Sequence, residues 1–74
     1  MREIEVEAEV AGTVWKIETA ENDLVQEEDS LMILESMKME IPVFAPETAT
    51  IARIHVIEGQ AVREGQVLVT LKVT

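Results

Sequence analysis

Thr13-Val14-Trp15-Lys16-Ile17 and Thr50-Ile51-Ala52-Arg53-Ile54 share one pattern of β-branched and basic residues, 37 positions apart. The same offset, without a gap, pairs Glu21 with Glu58, Val25 with Val62, Glu27 with Glu64, Leu31 with Leu68 and Leu34 with Leu71. A single shift that matches apolar and charged positions alike marks an internal repeat. Each half, about residues 12–35 and 49–72, is too small to close a core by itself. The two are expected to pack face to face around an approximate two-fold axis.

The segments of the repeat read as strands. Glu3 to Val10 alternates strictly, which places Ile4, Val6, Ala8 and Val10 on one face. Runs rich in Val, Ile, Thr and Leu follow at Thr13–Thr19, Leu31–Glu35, Glu40–Phe44, Thr50–Glu58 and Val67–Val73. Short strands with turn residues between them predict an all-β sandwich or barrel. No stretch holds an apolar stripe of helical period. At 74 residues the chain is expected to form a single domain, 1–74.

Composition narrows the function. The balance of 15 acidic against 6 basic residues, net −9, leaves no basic footprint for nucleic acid. Anionic membrane surfaces are disfavoured for the same reason. No apolar run approaches the ~20 residues of a membrane span. Met1 leads into Arg2-Glu3-Ile4-Glu5, so no signal peptide is expected. The lack of cysteine excludes disulfides and thiolate zinc sites and fits a cytoplasmic location. With one histidine, no cysteine and no tyrosine, a nucleophile–base pair or a metal cluster finds few residues, and the chain reads as a non-enzyme.

Residues 36–39 lie between the two halves, where a hairpin turn belongs, and have no counterpart in the second half. The turn there is Ser36-Met37-Lys38-Met39. Turns favour Gly, Asn, Asp, Pro and Ser, whereas here two large apolar side chains flank a lysine. Methionine adapts to a partner's surface. Lysine offers a primary amine on a flexible stem, reactive once its proton is removed. A chance Met-Lys-Met would occur in well under about one chain in a hundred of this length.

Met37-Lys38-Met39, with Glu35 and Glu40 around it, resembles the biotinyl-lysine signature of biotin-dependent carboxylases. Ala11-Gly12, Leu34, Ile41-Pro42 and Ala45 extend that resemblance over nearly the whole chain. It is closest to the small free-standing biotin/lipoyl attachment proteins. The resemblance implies a flattened β-barrel, a barrel-sandwich hybrid of two four-stranded antiparallel sheets, with the modified lysine at a hairpin tip. It implies that a biotin protein ligase attaches biotin to Lys38, and that the loaded chain shuttles carboxyl groups from a biotin carboxylase to a carboxyltransferase. Tethering would hold the ring at an effective concentration of order mM near each site. Met37, Met39, Glu35 and Glu40 would be read by the ligase and the carboxylase.

Two other readings stand beside it. Lipoyl domains share the fold, but their lysine usually follows an acidic residue and precedes a small one. Methionine in both places favours biotin over lipoate. An unmodified adaptor would use Met37 and Met39 as a binding patch. Asn22, Glu28 and Ala49 stand where the family usually has glycine, although Gly59 and Gly65 keep it in the second half. Glu28 would cost roughly 1–2 kcal/mol in a left-handed backbone. His55 is expected to face solvent, Trp15 to pack in the core or on a sheet face, and Asp23, Glu27, Glu28 and Asp29 to form a solvated loop without calcium ligands.

Overall fold

The computed structural model describes residues 2–73. Eight strands follow one another: β1 (Arg2–Glu7), β2 (Gly12–Ile17), β3 (Leu24–Val25), β4 (Ser30–Ser36), β5 (Met39–Phe44), β6 (Ala49–Ile54), β7 (Ala61–Val62) and β8 (Val67–Val73). They form two four-stranded antiparallel sheets, ordered β1-β8-β6-β3 and β5-β4-β2-β7. The sheets face each other as a flattened barrel of 36 × 18 × 17 Å.

The offset of 37 relates every strand of one sheet to a strand of the other: β2 to β6, β3 to β7, β4 to β8 and β1 to β5. The last pair extends the repeat to Ile4 with Ile41, Val6 with Val43 and Ala8 with Ala45. The core obeys the same symmetry. Its fully buried side chains fall into the pairs Val14–Ile51, Leu31–Leu68, Met32–Val69 and Leu34–Leu71. Burial of such side chains is worth about 1.5–3 kcal/mol each, which is what a chain this short needs.

Polar contacts repeat as well. The Ile17 N–H donates to the Glu58 carboxylate at 2.9 Å, and the Ile54 N–H donates to Glu21 at 3.1 Å. Each half thus caps the strand end of the other, and the matched glutamates of the repeat acquire a physical reason. In the acidic loop, Asp23 accepts from the Ala20 N–H and Asp29 from the Gln26 N–H, so these carboxylates close their own turns.

Several strand limits differ from the sequence expectation. β1 stops at Glu7, after a register shift between Val6 and Glu7, although Ala8 is still buried and Ile4, Val6 and Val10 pack on the core. β2 stops at Ile17 and β6 at Ile54, because the chain then crosses towards the other sheet; beyond β6, Val56 is buried on the way. β3 and β7 are new, and two residues give no period to detect. Trp15 is the extra residue of a bulge against β4, as Ala52 is against β8, and it lies half-exposed on a sheet face. His55 is exposed, with Nε2 2.8 Å from the Thr70 hydroxyl. No helix among the described residues is long and apolar enough to cross a membrane.

Candidate functional site

β4 and β5 form the hairpin whose register runs Leu34 with Ile41, Glu35 with Glu40 and Ser36 with Met39. That register leaves two residues, Met37 and Lys38, for the turn. Both have positive φ, 51° and 66°, the signature of a type I′ turn. Such turns normally use Asn-Gly, since a side chain in the left-handed region costs roughly 1–2 kcal/mol. Strain kept at an exposed apex points to a use for the residues that bear it.

The hairpin is pinned just below its turn to the start of β2 and the residue before it. The Ser36 hydroxyl donates to the Ala11 carbonyl at 2.9 Å. Beside it, a Cβ on Gly12 would lie 2.4 Å from the Glu35 carbonyl oxygen and 3.3 Å from the Ser36 Cβ. Glycine is therefore required by the close approach of the two strands, and its φ is not the reason. The sequence alone does not single out Ser36 as a binding residue, and it marks Gly12 only as part of the family pattern. The available signal was that Gly12 is the sole glycine of the first half.

All five predicted site residues meet at this end of the molecule. Met37 is 93% exposed and Met39 63% exposed, and Lys38 is exposed between them. Among the described residues the Lys38 amine has no hydrogen-bond or ion-pair partner. Glu35 and Glu40 are exposed and sit directly opposite each other, an arrangement of like charge that a sheet does not favour for its own stability. Met39 lies on the same face of β5 as Ile41 and Val43, while Glu40 lies on the other. The site therefore offers one amine, two exposed thioethers and two carboxylates on a rigid two-stranded stalk. None of these polar side chains is buried.

A family model described as "Biotin-requiring enzyme" matches residues 7–71. The chain belongs to this biotin/lipoyl family. It is 38% identical over 66 residues to the biotin/lipoyl attachment protein of Bacillus subtilis, covering 89% of this chain and 90% of that protein. It is 42% identical over 64 residues to the biotin carboxyl carrier protein of Streptococcus mutans, covering 86% of this chain but 49% of that one. Among solved structures, a single-chain, multi-domain long-chain acyl-CoA carboxylase superposes with a TM-score of 0.92 at 32% identity. The urea carboxylase of Kluyveromyces lactis superposes with a TM-score of 0.90 at 27% identity. The chain is covered to 97% and 96% in these matches, yet it spans only 7% and 6% of those carboxylases. The family is thus an all-β module that occurs both nearly alone and as a small part of large enzymes.

Proposed function

We propose that this chain, as one domain over residues 1–74, is a biotin carboxyl carrier and that Lys38 is its attachment residue. The observation that carries this reading is the unpartnered amine at the apex of a strained turn, flanked by two exposed methionines. The donor set fits the group: an amine exposed at the apex of a turn suits an amide-linked cofactor. In the attachment step the Lys38 Nζ lone pair attacks the acyl carbon of biotinyl-adenylate. The C–O bond to the phosphate breaks, AMP leaves, and a base of the ligase takes the ammonium proton. Bound biotin supplies a ureido nitrogen able to carry a carboxyl group.

The chain's own contribution is presentation. The two-residue turn projects Lys38 beyond the sheets, and the Ser36–Ala11 contact fixes the stalk. Met37 and Met39 give a biotin protein ligase and a biotin carboxylase adaptable apolar contacts, and Glu35 and Glu40 give them charge to read. A carboxyltransferase then takes the carboxyl group. The chemistry belongs to those partners, and the carrier itself is not catalytic. The carboxylases among its relatives support this division of labour.

The test is the intact mass of the protein after incubation with a biotin ligase, ATP and biotin, beside Lys38→Arg. A gain of one biotinyl group in the parent alone is expected. No gain from a folded parent overturns the biotin reading. The kinship with a biotin/lipoyl attachment protein makes lipoate with a lipoate ligase the next trial. Failure there too leaves an unmodified adaptor as the better account.

A further inference from the structure

β1 and β5 are the neighbouring edge strands of the two sheets, and no ladder joins them. Between them runs a groove of about 480 Å³, floored by Ile4, Val6, Val10, Leu34, Ile41 and Val43 and rimmed by Glu5, Glu7 and Glu9. That is a volume and a lining suited to a small ligand with an apolar body and a few polar atoms. The repeat relates β1 to β5, so the backbone makes the two ends of the groove equivalent.

The side chains do not. At the end remote from the hairpin, Arg2 Nη2 donates to both carboxylate oxygens of Glu47, at 2.8 and 2.9 Å. Shifted by 37, Arg2 becomes Met39 and Glu47 becomes Val10. Where the remote end is bridged by charge, the hairpin end therefore carries two apolar side chains, next to Lys38. Met39, Ile41 and Val43 alternate on one face of β5 and make an apolar path from the turn into the groove. Lys38 and Ile41 lie about 10 Å apart along the strand, which a lysine stem lengthened by an acyl chain can span. The facing edges of β1 and β5 also have unpaired backbone N–H and C=O groups, which complement the donors and acceptor of a cyclic urea.

We propose that the groove is a resting site for the bicyclic head of the group carried on Lys38, entered past Met39 and Val10; this rests on Lys38 being the attachment residue. The interaction need not be strong. A tether sets a local concentration of order mM, so a site of millimolar affinity is about half filled. The parked ring is shielded until a partner draws it out. The remote end of the groove, closed by Arg2 and Glu47, takes no part.

The experiment uses ligase-treated protein whose intact mass has first shown one biotinyl group, so a failure of attachment is seen separately. Methyl NMR spectra of loaded and unloaded protein are then compared. Shifts at Val10, Leu34 and Ile41, with none at Ile57 or Val62, are expected. Capture of the loaded protein by avidin is timed alongside. Val10→Glu copies the residue that the fold already holds at the equivalent position. It should speed capture about twofold, as the free fraction rises from about half to nearly all. Glu47→Val, at the remote end, should leave the rate unchanged. Methyl shifts confined to Met37 and Met39, or capture of Val10→Glu at the parent rate, would overturn the proposal.

Discussion

The two ends of this molecule are built from the same backbone and do different work. At one end β4 turns into β5 through Met37 and Lys38. At the other, the equivalent strands β8 and β1 are not joined by a turn, and Arg2 is bonded to Glu47. The contrast works as an internal control. Features present at both ends, such as the paired core leucines and the reciprocal Glu21 and Glu58 caps, are demands of the fold. Features present at one end only are candidates for function: the left-handed Met37-Lys38, the Ser36–Ala11 contact, the bare amine and the apolar approach past Met39 and Val10.

Gly12 and Ala49 give the sharpest break of that comparison, because the fold places both at the start of a matched strand. Only Gly12 has a carbonyl oxygen 2.4 Å from where its Cβ would stand. Gly12→Ala should cost about 1–3 kcal/mol by overpacking, and should lower the hydrogen-exchange protection of the hairpin just below its turn. Ala49→Gly should cost about 1–2 kcal/mol, from chain entropy and the loss of a buried methyl, and should leave the exchange protection of the hairpin unchanged. Urea melts and hydrogen exchange of the two variants check this. Unchanged protection of the hairpin in Gly12→Ala would mean that the hairpin end has no special packing demand.

Backbone strain supplies the next test. Asn22 and Glu28 have φ of 77° and 71°, and their mates Gly59 and Gly65 have φ of 90° and 85°. Glu28→Gly should therefore stabilise the fold by about 1 kcal/mol and leave modification of Lys38 untouched. Met37→Asn relieves the same kind of strain at the apex and should stabilise by up to about 1 kcal/mol, but it should slow the ligase. Thermal melts and ligase kinetics on both separate strain that is incidental from strain kept at a site. A Met37→Asn variant modified at the parent rate would remove Met37 from the surface that the ligase reads.

Much of this architecture can be read from the chain because the repeat is ungapped and the matched positions are the buried ones. Leu31, Leu34 and Val14 face the core for the same reason as Leu68, Leu71 and Ile51. The turn at Lys38 is legible because it interrupts the repeat with residues that turns avoid. Three things stay hidden. β3 and β7 are too short for a period. The kinship of β1 with β5 is masked where the repeat matches Arg2 with Met39 and Glu5 with Pro42, a proline tolerated because β5 is an edge strand. The Ser36–Ala11 contact and the groove join residues far apart in sequence, so no local pattern announces them.

The smallest expected effect lies at the closed end. The Arg2–Glu47 pair is exposed on both sides, 60% and 40%, and surface pairs of this kind contribute about 0–1 kcal/mol. Arg2→Met should lower stability by at most about 0.5 kcal/mol, with the difference shrinking as salt is raised. That variant places at the remote end the residue that the hairpin end already has. If stability falls by much more, the bridge is structural, and the apolar character of Met39 would reflect compensation within the fold and not access to the groove. If stability barely moves, the fold accepts either chemistry at this position, and the choice of methionine beside Lys38 is left for function to explain.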